Sequence, residues 1–439
     1  MKIKNKNVLV YGMSCSGVWA SRLLVKYKAN VFIYDDNPNK LVGDYKNCFI
    51  VKEIDEKLMS GLDFLVVSPS IQPDNIVIQL AKSLKKPVLS EIELASYFSK
   101  NYIAITGTNG KTTTVQLIEA MFKTTKKAIA CGNIGYSFSQ AVLENKKAIH
   151  IVEVSSFMLE NIDKFSPHVA TILNIAQDHL IRHKTMQNYA SIKHKIYKNL
   201  TKNDYIVENL DLNLEIKSKA KRIGYSLKSM ADVCLQNGHI FIKTKSGYVD
   251  LISLDQISLK GEHNLYNVMC AICFALIYKL KLNKIKKVLT NFKLADYRMS
   301  VRPTINGVNF INDSKSTNIA STLASVQATK GEIVLILGGS KKGLDLDELF
   351  QKLPKKVKSI VAYGEIREEL KQKNNEKFEF FAFKTLNLAF KKAVEIATVG
   401  DTVLFSPATA SYDQYLNYVE RGKAFDEKVK EYESSSQKK

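Results

Sequence analysis

The 439-residue chain has no run of apolar residues long enough to cross a bilayer, so a membrane-spanning helix is not expected. Proline is scarce, with 8 residues, and apolar residues make up 45% of the chain; this is ordinary globular composition rather than a low-complexity or disordered one. The amino-terminal stretch MKIKNKNVLVYGM runs directly into an expected strand and carries no signal-peptide cleavage pattern. Cysteine is sparse and scattered, at positions 15, 48, 131, 234, 270 and 273. Cys270 and Cys273 form a CxxC, but inside NVMCAICFAL the spacing of three puts both on the apolar face of a helix. Buried thiols, rather than a metal or redox pair, are the expectation there. A reduced, cytoplasmic protein follows from these readings.

Acidic residues are also in short supply, 43 against 64 Lys and Arg, for a formal charge of +21. Lysine supplies most of the excess and is spread over the chain, as in KSLKK, KTTKK, KSKAKR and KKVKS. No stripe of arginine interleaved with aromatic residues is present and no nucleic-acid-binding signature, so a nucleic-acid partner is not expected. The charge would instead raise the local concentration of anionic substrates.

The length exceeds what one hydrophobic core serves and predicts two to four domains. Short apolar strands alternating with helices predict an α/β fold with parallel sheets, here three consecutive α/β domains at about 1–98, 99–297 and 298–439. The first opens with NVLVYGMSCSGVWASRLLVKYKANVFIYDD: a strand, a turn from Gly12 to Gly17, a helix, and a second strand ending at Asp35 and Asp36. This is a Rossmann-like layout, in which Ser14 and Ser16 line the turn and an acidic residue faces a ribose or base. A later strand, LDFLVVSPSI, opens a second loop at Ser70 on the same sheet edge. The carboxyl-terminal EYESSSQKK reads as a disordered polar tail.

The second domain starts with YIAITGTNGKTTTVQL, an apolar strand, a glycine turn and a helix opening on Lys-Thr-Thr. The familiar spacing G-x-x-x-x-G-K-[ST] would need glycine at 105, where Ile105 stands. The shortened loop Gly107-Thr108-Asn109-Gly110 can still turn successive N–H groups toward phosphate oxygens. Lys111 supplies a point charge for the β- and γ-phosphates, and Thr112 or Thr113 an oxygen for Mg²⁺. Downstream, in IVEVSSFMLE, Glu153 puts a carboxylate near the end of an apolar strand, where it needs a cation such as Mg²⁺. TILNIAQDHLIRH then sets Asn174, Asp178 and His179 just after another strand. His183 and His194 read as structural.

Taken together, G-T-N-G-K-T-T, E-x-S-S-F-x-L-E, L-N-I-x-x-D-H, G-x-H-N and D-S-K-S-T-N resemble the Mur ligases of peptidoglycan synthesis, over essentially the whole chain and in the family's order. The nearest branch is the one that adds D-glutamate; the D-N-P-R motif typical of the branches adding meso-diaminopimelate or lysine is absent. The resemblance implies an ATP-dependent acid–D-amino-acid ligase using two Mg²⁺ ions, with UDP-N-acetylmuramoyl-L-alanine, D-glutamate and ATP as substrates, acting as a monomer. It implies that Lys111 and Thr112 hold ATP phosphates and a first metal, with Glu153 as a further ligand. Asn133, in CGNIGYS, and His179 would line the muramoyl-alanine end and the second metal. Lys193, in SIKHKIYKN, aligns with a lysine carried as a carbamate, whose carboxylate can bind a metal that an ammonium would repel. Asn264 would face adenine, and Arg298, Asp313 and Lys315 the nucleotide and its γ-phosphate. Thr317, Lys342, Ser411 and Tyr418 would meet D-glutamate, a cation and hydroxyls suiting its two carboxylates. Ser14 and Ser70 stand where the family has glycines, Tyr418 where it often has Phe, and Tyr297 where His is common. The implied reaction passes through an acyl phosphate that water would destroy, which gives a third, closing domain a purpose.

Overall fold

The computed structural model describes residues 2–41, 45–293, 297–340, 346–415 and 418–436. They form two compact units, Met1–Lys293 and Leu294–Lys439. The first unit holds two sheets. One is built from β1 (Asn7–Tyr11), β2 (Asn30–Tyr34), β3 (Cys48–Ile50), β4 (Phe64–Val67) and β5 (Val88–Ser90), in the order β3-β2-β1-β4-β5. Every pair in it is parallel. Its central strands NVLVY and FLVV are almost wholly buried, the continuous apolar pattern of strands covered on both faces. The helix Cys15–Lys26 covers one face with Ala20, Leu23 and Leu24. Its Gly17 is required by proximity, since a Cβ there would lie 2.0 Å from the carbonyl oxygen of Gly12.

The second sheet contains β6 (Tyr102–Thr106), β7 (Ala128–Gly132), β8 (Ile149–Glu153), β9 (Val169–Ile172), β10 (Tyr205–Asn209), β11 (Lys221–Ser226), β12 (Val233–Gln236), β13 (His239–Thr244) and β14 (Gly247–Ser253). Its order is β14-β13-β12-β11-β10-β9-β6-β8-β7, which puts the phosphate-loop strand β6 between β9 and β8. The strands from β7 across to β12 run parallel, whereas β12–β13 and β13–β14 are antiparallel. That antiparallel extension differs from the purely parallel sheet the sequence predicts. Its outer strand exposes Gly247–Asp250 to solvent, so it does not have to follow the buried βα rhythm.

Two buried glutamates fasten these sheets together. The short helix Glu91–Ser96 follows the first sheet, and Glu93 on it accepts the backbone N–H groups of Asp163, Lys164 and Phe165 at 2.9–3.0 Å and the Tyr97 hydroxyl at 2.6 Å. Glu91 accepts the N–H of Ser139 near the start of the helix Phe138–Glu144, and burial pushes its carboxyl up to about 6.

The second unit is one sheet of β15 (Ser300–Ile305), β16 (Val308–Asn312), β17 (Ile333–Gly338), β18 (Val357–Tyr363), β19 (Glu379–Phe383) and β20 (Thr402–Ala408), ordered β15-β16-β20-β17-β18-β19. Among the described residues of this sheet only β15 pairs antiparallel. Residues 431–436, read from sequence as disordered tail, continue the helix Tyr418–Ser436. The helix is anchored by buried Arg421, Phe425 and Val429, with Tyr432 packed against the same core, and this tertiary packing overrides the polar composition of the segment. Among the described residues no helix is long and apolar enough to cross a membrane. Cys270 and Cys273 are fully buried in the helix Glu262–Ile277, as free thiols.

Candidate active site

The phosphate loop joins β6 to the helix Lys111–Lys123. Gly110 sits at its N-cap with φ +82°, and a Cβ there would lie 2.3 Å from Asn267 Oδ1; glycine satisfies both demands. Asn109 and Asn174 exchange two hydrogen bonds, the Asn109 N–H to Asn174 Oδ1 at 2.8 Å and Asn174 Nδ2 to the Asn109 carbonyl at 3.1 Å. Thr108 Oγ1 donates to the Ala176 carbonyl at 3.2 Å and lies 3.2 Å from the Tyr189 hydroxyl. The loop is thereby tied to the segment after β9 that carries Asp178 and His179.

Glu153, the last residue of β8, is buried beside the loop. Its two oxygens accept from Thr112 Oγ1 at 2.8 Å and from Asn133 Nδ2 at 3.0 Å. Three residues from three separate sequence segments are thus in one cluster. Thr113 is buried in the same first turn of helix. Among the described residues no group of three or more His, Cys, Asp or Glu side chains is arranged around a metal position. A hydroxyl and one carboxylate at a phosphate loop nevertheless suit Mg²⁺, which keeps several waters and takes phosphate oxygens for the rest of its shell.

Two lysines meet at the Gly107 carbonyl of the loop. Lys111 Nζ donates to the carbonyls of Gly107 and Thr108, both at 2.8 Å. Lys193 Nζ donates to the same Gly107 carbonyl at 2.9 Å and stands 4.6 Å from the centre of the Tyr189 ring. Lys193 is 1% exposed, and desolvation, followed by repulsion from Lys111, lowers its amine to about 7 against a smaller opposing pull from Asp178. A fraction of it is therefore a neutral, nucleophilic amine near neutral pH, the form that adds carbon dioxide.

His179 adopts a left-handed backbone with φ +54° at the start of the short helix Leu180–His183. Its ring stands edge-on to Phe157 at 4.7 Å, with Nε2 3.4 Å from Asp178 Oδ2. His183 is buried on Ser156 Oγ at 2.9 Å, and His194 packs on Tyr197. Asn264 donates to the Lys260 carbonyl at 2.8 Å and accepts from Asn267 Nδ2 at 3.3 Å; Asn267 in turn accepts from Thr114 Oγ1 at 3.2 Å, on the phosphate-loop helix.

The first sheet gathers its predicted residues at its carboxyl edge. Ser14 Oγ lies 3.3 Å from Ser68 Oγ, which lies 3.2 Å from Ser70 Oγ. Ser16 is in the first turn of the helix Cys15–Lys26. The two aspartates divide their work. Asp35 is buried and accepts the N–H groups of Met13 and Asn37 at 2.7 and 2.9 Å, which shapes the turn. Asp36 is exposed and receives the Tyr11 hydroxyl at 2.8 Å.

In the second unit Asp313 to Thr317 follow β16, and Thr409 to Ser411 follow the adjacent strand β20. The Asp313 carboxyl is fully buried, which raises its pKa. It accepts from Ser325 Oγ at 2.6 Å, Ser406 Oγ at 2.8 Å and the Met299 N–H at 3.1 Å. Through that last bond, and one of 2.9 Å from the Lys315 N–H to the Tyr297 carbonyl, it holds the turn that carries Arg298. The Lys315 ammonium is 5.3 Å from the centre of the Tyr418 ring. Ser411 is buried and Thr317 half-buried, while Lys342 lies outside the described residues.

Sequence reasoning missed Tyr189, Asn267, Glu160 and Arg182. Tyr189 carried a signal, since it precedes Lys193 by four residues on one helix and so shares its face. Glu160 closes a motif read for Glu153 alone.

Fold and site together define a protein that holds a nucleoside polyphosphate on a shortened phosphate loop, with a metal-competent carboxylate and a low-pKa amine beside it. The profile of the Mur ligase middle domain matches residues 105–275, and that of the Mur ligase, glutamate ligase domain matches residues 297–409. The UDP-N-acetylmuramoylalanine--D-glutamate ligase of Caldanaerobacter subterraneus subsp. tengcongensis is 37% identical, the match covering 98% of this chain and 99% of that protein. The protein of the same name from Clostridioides difficile is 35% identical, with the same coverage. Among solved structures, the Thermotoga maritima UDP-N-acetylmuramate-alanine ligase MurC superposes with a TM-score of 0.59 at 15% identity, covering 97% of this chain and 100% of that one. The MurF ligase of Thermotoga maritima, solved in complex with ADP, gives a TM-score of 0.53 at 15% identity, covering 99% and 96%. The chain belongs to the Mur ligase family, whose members are ATP-dependent amide ligases.

Proposed function

We propose that this chain joins D-glutamate to UDP-N-acetylmuramoyl-L-alanine, with ATP as the activating substrate, in cytoplasmic synthesis of peptidoglycan precursors. The observation that carries the reading is the Thr112–Glu153–Asn133 cluster on the phosphate loop. The names of the relatives covering 98% of the chain support the choice of substrates.

In this reading residues 1–98 bind the UDP end of the acceptor through Ser14, Ser16, Asp36 and Ser70, with Asp35 shaping the turn. Residues 99–297 bind ATP on Gly107 to Thr113 and Asn264. Residues 298–439 supply Arg298, Asp313 and Lys315 to the nucleotide and Thr317, Lys342, Ser411 and Tyr418 to D-glutamate. The alanyl carboxylate attacks the γ-phosphorus and ADP leaves. Lys111 shifts from the loop carbonyls to the phosphates and offsets the charge that builds up there. The D-glutamate amine then attacks the acyl carbon, and phosphate departs from the tetrahedral intermediate to leave the amide. The proton that this amine sheds leaves with the departing phosphate. Two Mg²⁺ ions, held by Thr112, Glu153, His179 and Lys193 as its carbamate, would supply Lewis-acid neutralisation of the phosphate oxygens. The protein acts as a monomer.

The test is phosphate release from ATP and Mg²⁺ with UDP-N-acetylmuramoyl-L-alanine, adding amino acids one at a time. Release that depends on D-glutamate, with the matching amide product, is expected. Release with a different amino acid would move the chain to a sister branch, and none with any would overturn the substrate reading.

A further inference from the structure

Two residues of the E-x-S-S-F-x-L-E motif, Phe157 and Glu160, have no part in the chemistry so far. Both converge on Arg182, three residues after His179. Arg182 Nε and Nη2 donate to the two oxygens of Glu160 at 2.8 and 2.5 Å, a bidentate pair with side chains only 7% and 9% exposed. The guanidinium carbon sits 4.3 Å from the centre of the Phe157 ring, whose edge contact with His179 was described above. Nη2 also donates across to the carbonyl of Ile71, at 2.8 Å. Ile71 lies in the first-sheet loop that carries Ser68 and Ser70, and its N–H donates to the Ser68 carbonyl.

The backbone around Arg182 needs such support. His179 and Lys184 both lie at positive φ, +54° and +67°, at the two ends of a four-residue helix. Neither is glycine, so each conformation is held against an intrinsic cost. Within that helix His183 is buried on Ser156 Oγ, while Arg182, through its side chain, is tied both to Glu160 and to the first-sheet loop at Ile71. Resting on the function proposed above, we propose that Arg182, oriented by Glu160 and Phe157, is a positioning residue for the acceptor substrate. It fixes the distance between the loop that receives the UDP end and the His179 turn that receives the muramoyl-alanine end. One long substrate meets both places, whereas ATP reaches the His179 turn alone, through the second metal, and does not touch the Ser68–Ser70 loop. The effect of loosening the clamp is therefore selective.

Arg182→Met, Arg182→Lys and Glu160→Gln are compared with the parent in steady-state kinetics and in hydrogen–deuterium exchange of the unliganded protein. For Arg182→Met, KM for UDP-N-acetylmuramoyl-L-alanine is expected to rise about tenfold and kcat to fall by a similar factor, with KM for ATP within about twofold. Arg182→Lys, which keeps the charge but not the fork, should recover part of the loss, and Glu160→Gln should fall between them. Exchange should quicken together in residues 68–75 and 176–185 and stay unchanged in β12 to β14. If Arg182→Met fails to fold, Arg182→Lys and Glu160→Gln carry both measurements. An unchanged acceptor KM, equal changes in the acceptor and ATP KM values, or exchange confined to 176–185 would overturn the proposal. A parent enzyme inactive with D-glutamate would instead overturn the function, and the exchange pattern alone would then judge the clamp.

Discussion

The carbonyl oxygen of Gly107 accepts from two lysines, and neither belongs there once a polyphosphate has arrived. Lys111 can swing toward phosphate because it stands at the first position of the exposed loop's helix. Lys193 is buried under the loop and cannot leave so easily, so its protonation state has to do the adjusting. Its amine titrates near 7 in the folded chain against an ordinary value of 10.5. Between those two values the unfolded chain binds more protons, so stability rises with pH across that window. Below about 7 both states are protonated and the folded one bears the full cost of a buried ammonium. Lys193→Met removes this titration. The stability of the parent should therefore climb more steeply than that of the variant from pH 7 to 9, by up to about 1.4 kcal/mol per pH unit, measured by urea unfolding at several pH values. Equal slopes would mean that Lys193 titrates normally. The same neutral amine predicts a chemical dependence: stripping dissolved carbon dioxide should lower kcat, and bicarbonate should restore it, in the parent but not in Lys193→Met.

At the scale of elements, the helix Glu91–Ser96 turns its acidic first turn into a fastener between two sheets. Glu93 accepts three backbone N–H groups and a hydroxyl while fully buried. Glu93→Ala would leave those donors without water or partner, a loss of about 2–4 kcal/mol, and thermal unfolding should show it as a lower midpoint. Glu93→Gln, which can still accept but adds two donors of its own, should lose less. A variant as stable as the parent would remove this helix from the account of how the first two sheets stay registered. The elements also show what could be read in advance. The strand, loop and helix of the phosphate site are contiguous, and their pattern is local, so YIAITGTNGKTT announced them. Glu153 stood out as a charge within an apolar strand. Lys193 did not, because its burial comes from the helix Met186–His194 lying under a loop some eighty residues away in sequence. Arg182 and Glu160 are likewise ordinary surface residue types until the fold pairs them. The strands β13 and β14 escaped the parallel α/β reading because they pair antiparallel, the outer one with its first half open to solvent.

At the scale of the whole molecule, the charge of +21 asks what a lysine-rich surface does for an enzyme with three anionic substrates. Surface ion pairs of half-exposed lysines, such as Lys6–Asp63 and Lys352–Glu348, contribute little to stability. The unpaired excess acts at longer range, as a field that concentrates anions around the chain and is screened over about 10 Å at 0.1 M salt. The acceptor nucleotide, ATP and D-glutamate all carry negative charge, so KM for each should rise with ionic strength. The rise should be steepest for the two polyphosphates, severalfold between 0.05 and 0.5 M KCl, and shallow for D-glutamate, with kcat nearly unchanged because the bound groups are sheltered from bulk salt. Steady-state kinetics at constant free Mg²⁺ measures this directly. KM values flat across that range would mean that the lysines serve solubility alone. A fall in kcat with constant KM would instead put the salt-sensitive step after binding.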